Sequence, residues 1–217
     1  VRVSMKVPGW LETLAERVGR APVPPSLRPP ESGGRPAAVL MLFGEGPLGP
    51  DVLLIQRSFR GRRHAGQPAF PGGGVDPEDG GPVAAALREA REETGLDPAG
   101  VRVVGTLPEL YVYPSDNRVT PVLGWWHTPS VVHAASPDEV EAVERVPVGE
   151  LVDPGNRLLL RHPGGRTGPA FRVRGLLVWG FTAKVLDRTL AESGFARPWD
   201  RSRIEDLPPD IVNLASR

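Results

Sequence analysis

The sequence predicts an α/β fold, a sandwich in which a mixed central β-sheet is covered by helices. Three observations carry that expectation. Apolar runs of strand length lie on both sides of residues 82–95. That segment itself has helical spacing, and a second helical pattern follows the last strand at residues 180–192. With 217 residues the chain is long enough for one domain with a large core.

In order, Trp10, Leu11, Leu14 and Val18 have helical spacing, so a short amphipathic helix is expected after a frayed start over residues 1–8. Residues 21–36 are rich in proline and glycine and should be irregular. Residues 1–36 thus read as an arm wrapping the domain, residues 37–195 as the domain and 196–217 as a C-terminal tail. Residues 37–43 and 52–57 are strands joined by a turn-rich connection over 44–51. Residues 101–107, 111–114 and 118–126 are further strands. Pro121 in the last of these calls for an edge or a bulge, and Trp125 and Trp126 point to opposite faces. Residues 136–150 begin as a turn, continue as a strand with alternating acids, and end in a short helix start after Pro147. Residues 155–168 read as a turn-rich excursion, 171–179 as one strand, and 180–192 as a last helix with Ala183, Leu186 and Leu190 facing inward.

Composition excludes several functions. The 26 basic and 26 acidic residues give zero formal charge, which argues against a general nucleic-acid binder. With no cysteine there is no disulfide, thiol catalysis or cysteine zinc site. The chain has neither an apolar run of membrane-spanning length nor the apolar core of a signal peptide, so a cytoplasmic setting is the default expectation.

The chemistry concentrates at residues 72–96, GGGVDPEDGGPVAAALREAREETGL. Pro82 suits a first helical position and Gly95 a left-handed C-cap. Val83, Ala86, Leu87, Ala90 and Thr94 share one side of the helix between them. Glu89, Glu92 and Glu93 share the other, at i, i+3 and i+4, as three neighbouring carboxylates on an exposed face. Like charges so spaced cost a helix roughly 0.2–0.5 kcal/mol per pair. Such a cluster is either a solvated face with ordinary ion pairs or a site for a hard cation, because Mg²⁺ and Mn²⁺ take clustered carboxylate oxygens. Just upstream, RSFRGRRH crowds four arginines and His64 ahead of the glycines, a pattern suited to phosphate because guanidinium forks match its oxygens.

The glycine loop followed by REAREETGL resembles the signature of the Nudix hydrolases, GX5EX7REUXEEXGU with U aliphatic. The match falls on Arg88, Glu89, Ala90, Glu92, Glu93, Gly95 and Leu96. With the box starting at Gly74, Gly80 stands at its first Glu position and Asp79 one residue early. LLIQRS, Arg62 and GQPAFPGG resemble the motif preceding the box in the coenzyme A pyrophosphatase subfamily. Leu53, Leu54, Arg57, Ser58, Arg62, Gly66, Phe70, Pro71, Gly72 and Gly73 match, and Ile55 stands where Thr is usual. In that subfamily the first Glu is commonly displaced. VWGFTAKVL resembles its later IWGxTAxIL segment.

The resemblance implies the Nudix α/β/α sandwich and hydrolysis of a diphosphate linked to a nucleoside, here coenzyme A or a derivative, to 3′,5′-ADP and 4′-phosphopantetheine. It implies Mg²⁺ or Mn²⁺ on Glu89, Glu92 and Glu93, with Arg88 orienting the glutamates. Nudix enzymes often add one downstream acid, for which Glu139 is the choice by position, with Glu141 and Glu144 as rivals. Arg57, Arg62 and Arg63 are the implied phosphate ligands, and Gly72 and Gly73 let the backbone approach the substrate. The partner is then a small molecule, not nucleic acid or membrane, with a homodimer left open. Alternatives are a Nudix enzyme for ADP-ribose or NADH, a nucleotide sensor without catalysis, and an RNA-binding role disfavoured by the neutral charge.

Overall fold

The N-terminal spacing folds as α1 (Gly9–Arg20), which buries Leu11, Leu14 and Val18. The protein is represented by a computed structural model that describes residues 6–60, 65–209 and 211; Arg62, Arg63 and His64 of the arginine loop, and residues 1–5 of the fray expected over 1–8, lie outside them. Two apolar runs then form a hairpin. β1 (Arg35–Gly46) and β2 (Gly49–Arg57) pair antiparallel from Phe43↔Val52 to Gly46↔Gly49, a tighter turn than the connection expected over 44–51.

Away from that turn the two strands part. Two short strands, β3 (Pro68–Ala69) and β4 (Gly72–Gly74), fill the opening. β3 pairs with β2 at Ile55 and Gln56, and β4 pairs with β1 from Ala37 to Val39. Leu40 N–H donates to Pro71 O and Val75 N–H to Pro36 O, so the backbone of β1 stays satisfied around the wedge. The splay thereby places three successive glycines inside the sheet, directly under α2 (Pro82–Thr94).

The sheet continues through β5 (Val101–Thr106), β6 (Leu110–Val112) and β7 (Asn117–Trp126). β7 runs parallel to β1 over ten paired positions, while its pairs with β5 and β6 are antiparallel, so the sheet is mixed. Pro121 is not at an edge: it sits where the outer partner of β7 changes from β5 to β6. There its carbonyl accepts from Leu107 and its missing N–H interrupts no ladder. β8 (Val140–Pro147) covers the far side of β2, with a bulge at Gln56/Arg57, and leads into α3 (Val148–Leu151).

Residues 155–168 contain a strand that turn signals conceal. β9 (Arg157–Arg161) pairs with β10 (Thr167–Val173), and the stretch expected as one strand over 171–179 folds back instead into β11 (Leu176–Val178). The turn rests on Arg174 at φ 51° and Gly175 at φ 77°. α4 (Gly180–Ser193) follows. The expected tail contributes to the fold: β12 (Ile204–Asp206) joins β9 in parallel, and Trp199 and Phe171 both pack on the buried Arg157 guanidinium.

Alternation along the strands divides the core. Met41, Phe43, Leu54, Leu123 and Trp125 face α1 and α4. Val7, Leu11, Leu14, Val18 and Leu27 belong to that same core, so the N-terminal arm is part of the folded unit. Leu40, Leu42, Leu53, Val122 and Trp126 face α2, which meets them with Ala85, Ala86 and Ala90. These small side chains let the helix approach the sheet closely. Among the described residues no helix is long and apolar enough to cross a membrane.

Candidate active site

α2 starts at Pro82 and stops at Gly95, which takes φ 68°, so both boundaries agree with the sequence. Its orientation does not. The alanine stripe rolls the helix until Glu93 is buried at 3% exposure, Glu89 is half-buried and only Glu92 projects into solvent. The three acids therefore do not share one exposed face. Glu89 and Glu93, one turn apart, look toward β4, where the splay of the hairpin has put glycine. The Gly72 N–H donates to Glu93 Oε2 at 2.9 Å.

Gly72 is held to glycine by the backbone around it, and Gly73 by the present position of Glu89. A side chain at Gly72, which has φ 155°, would lie 2.3 Å from Ala38 O. One at Gly73 would lie 2.5–2.8 Å from the Glu89 carboxylate atoms.

Arg88 organises the exposed rim of the cluster. Its Nε and Nη2 donate to the two oxygens of Asp79 at 2.7 and 2.9 Å, Nη1 donates to Glu89 and Glu92 at 3.0 Å each, and Nη2 also donates to Gly74 O at 3.1 Å. Asp79, whose side chain is 6% exposed, is thus the anchor of Arg88 and stands apart from the two inward glutamates. Hydrogen bonding from Arg88 holds the Asp79 carboxyl below the usual carboxylate range. Asp79 is itself set by a capping box with Asp76. The sequence carries the signal for this anchor in the Asp-x-x-Asp spacing ahead of the helix.

Electrostatics single out the inward pair. Burial pushes Glu93 up to about 8, with Glu89 and Glu139 acting in the same direction and the Gly72 N–H and Arg57 opposing. Glu89 is raised by burial, and Glu92 and Glu139 add to this against Arg88. The charge of Glu139 acts on both, while that of Glu144 acts on Arg174. Glu139 is exposed, accepts from Ser136 Oγ at 3.3 Å and is tied to the arginine loop by Ser58 N–H donating to its carbonyl at 2.8 Å. Arg57 ends β2, and its charge lowers Glu93.

The donor set fits a hard divalent cation in chemistry: carboxylate oxygens, repelling one another, against a backbone cleared of side chains. Among the described residues no three acids are already drawn into a closed cage. Arg88 holds Glu89 and Glu92, and Gly72 holds Glu93.

Comparison with known proteins gives the family. A NUDIX domain model matches residues 34–165. The "Uncharacterized Nudix hydrolase NudL" of Escherichia coli (strain K12) is 40% identical over 171 residues, covering 74% of this chain and 83% of that protein. A protein of the same description from Shigella boydii serotype 4 (strain Sb227) matches to the same extent. Among solved structures, that of a Nudix hydrolase from M. Smegmatis, RenU, superposes with a TM-score of 0.54 at 20% identity, over 78% of this chain and 92% of that one, a likeness of fold.

Proposed function

The chain belongs to the NUDIX domain family, and on that premise we propose that it hydrolyses the diphosphate of coenzyme A or one of its derivatives, giving 3′,5′-ADP and 4′-phosphopantetheine. The observation that carries the reading is the meeting of Glu89 and Glu93 over Gly72 and Gly73, with the charge of Arg57 acting on Glu93: anionic ligands for a cation, a cation for phosphate, and a backbone cleared of side chains. Nudix hydrolases generally use divalent ions such as Mg²⁺ or Mn²⁺. When bound, such an ion supplies neutralisation of the diphosphate oxygens and lowers the pKa of a water.

The chain's own residues do the rest. Glu89, Glu92 and Glu93 would hold the ion, and their mutual repulsion favours its capture. Arg88, fixed by Asp79, keeps Glu89 and Glu92 turned toward it. Glu139 accepts the proton of the attacking water. Arg57 binds phosphate oxygens, and the glycines admit the diphosphate close to the backbone.

Support for coenzyme A comes from the LLIQRS–GQPAFPGG and VWGFTAKVL segments and from the arginines that follow β2. The 3′-phosphate distinguishes coenzyme A from nucleotides sharing only its diphosphate, and Arg57, Arg62 and Arg63 offer the matching charge. The test is product analysis after incubation with coenzyme A, dephospho-coenzyme A, ADP-ribose, NADH and nucleoside triphosphates, with Mg²⁺ or Mn²⁺. Coenzyme A should lead, and dephospho-coenzyme A should be about ten- to hundredfold poorer in kcat/KM, the effect of one lost charged hydrogen bond. Arg62→Ala or Arg63→Ala should narrow that gap. Faster cleavage of ADP-ribose or NADH would replace this substrate with theirs.

A further inference from the structure

The β9–β10 hairpin and the start of α4 gather three basic side chains that the diphosphate chemistry does not use. The hairpin closes with His162 N–H donating to Arg166 O and Gly165 N–H to His162 O, each at 2.8 Å, just beyond the paired Arg161 and Thr167. His162 and Arg166 therefore stand opposite one another. Alternation puts Leu160, His162, Arg166 and Gly168 on one face of the hairpin. Lys184 of α4 lies against that same face: a Cβ on Gly168 would stand 3.9 Å from Lys184 Cε. The ring of Trp179, the residue before α4, lies 5.6 Å from that of His162. Three bases thus share one face of the hairpin, with an indole beside them.

Exposed bases are ordinary on a protein surface. This group differs because its lysine is partly buried, and among the described residues that amine makes no hydrogen bond or ion pair. No acid is at hand to supply one. Asp187, one turn along α4, is taken by Arg157, and the first turn of α4 holds neither an acid nor a side-chain cap. Burial holds Lys184 and His162 below their usual ranges; Arg166 acts on the lysine, and the lysine on the histidine, in the same direction. Like charges so gathered repel until an anion joins them, and the positive end of α4 adds to the same field.

We propose that His162, Arg166 and Lys184 form a binding site for a phosphate group, held by their nitrogen donors beside the Trp179 ring. A phosphate matches the set because it offers several acceptor oxygens and up to two charges, and the guanidinium fork fits its oxygens. Lys184 stands at a position that the IWGxTAxIL pattern leaves open, so the site is built from residues particular to this chain. It shares no residue with the glutamate and glycine cluster and does not depend on how that cluster is read.

The chain has two lysines and four histidines, so these side chains give few NMR signals. The experiment is titration of the full chain, labelled in its lysine and histidine side chains and free of divalent ions, with inorganic phosphate, coenzyme A and dephospho-coenzyme A. Lys6→Arg and His162→Gln assign the signals. Inorganic phosphate should move the Lys184 and His162 signals saturably with one midpoint, leave Lys6 in place and raise the pKa of His162. Lys184→Met keeps the bulk of the side chain. It should weaken binding, read at His162, about ten- to hundredfold, the effect of one lost charged hydrogen bond. Arg166→Gln changes an exposed side chain that the fold does not bury, and should weaken binding by a similar factor. A response to coenzyme A that dephospho-coenzyme A lacks would uphold the site and assign it to the 3′-phosphate. A response to inorganic phosphate alone would uphold it for a free ion. The site is overturned if none of the three ligands moves both signals, if Lys6 follows with the same midpoint, or if both variants bind as the unmodified protein does.

Discussion

Gly73 lies so close to Glu89 that a methyl group on it would stand 2.5 Å from Glu89 Oε1, inside any permitted contact. The neighbouring Gly74 faces open space. The pair gives a sharp comparison. Gly73→Ala must turn the Glu89 carboxylate aside, and misplacement of about 1 Å can cost roughly 10²-fold in rate. Gly74→Ala should lie within about twofold of the unmodified enzyme. Steady-state kinetics with a titration of the divalent ion checks both; equal effects would show that the closeness of Gly73 to Glu89 has no functional weight.

Glu93 and Glu92 should respond differently to loss of charge. Burial pushes Glu93 up to about 8, so at neutral pH folding must take up a proton there or bury a charge; Glu93→Gln removes that cost, while the amide oxygen can still accept from Gly72 N–H. Turnover should fall by orders of magnitude while the melting temperature without divalent ions rises by several degrees, at about 2–4 °C per kcal/mol for a chain of this size. Glu92 is mostly exposed, so Glu92→Gln should cut turnover comparably and leave that temperature within about 1 °C. Thermal melts with and without Mg²⁺ separate the two. A Glu92→Gln protein with near-normal turnover at saturating metal removes Glu92 from the site.

The fork between Arg88 and Asp79 should be worth more to rate than to affinity. Asp79→Asn keeps the size but removes the charge that receives two guanidinium bonds, and Arg88 then holds Glu89 and Glu92 less firmly. We expect kcat to fall about tenfold with KM little changed. A hydrogen bond to a charged group contributes roughly 1.5–3 kcal/mol, so a double-mutant cycle with Arg88→Lys should show coupling of that order. Strict additivity would mean that the two residues act independently.

Among the downstream acids, Glu139 should matter and Glu144 should not. The charge of the former raises Glu89 and Glu93, and that of the latter acts on Arg174. A general base contributes about 10²–10⁴-fold, so Glu139→Gln should lower kcat at least 10²-fold and Glu144→Gln less than threefold. If Glu144→Gln or Glu141→Gln is the damaging change, the proton goes to that residue instead.

Much of this was written in local pattern. Trp125 and Trp126 divide between the two cores because side chains alternate along any strand, whatever its partners. Proline at the first turn and glycine after the last turn bound α2 by backbone conformation alone. β9 and β12 escaped because RLLLR is a short apolar run among turn residues, and IED has no apolar periodicity of its own; each becomes a strand by pairing with the other and, for β9, with β10. The strand expected over 171–179 broke at Arg174, which adopts a left-handed conformation that its residue type does not announce.

The sequence by itself determined that three glutamates lie within one turn of a helix behind a glycine loop, because spacing along a helix fixes the angle between side chains. It also carried the family, through residues 53–96, and the alternation that makes the sheet. It could not say which of those angles faces inward. Only the tertiary structure decided that, because the roll of α2 depends on where its alanines meet the sheet and where β1 and β2 part to admit β4. That parting buries Glu93, sets Glu89 on Gly73 and leaves Glu92 to Arg88. Contacts between segments distant in the chain settle the burial of each charge, and burial separates three glutamates that the helix makes equivalent.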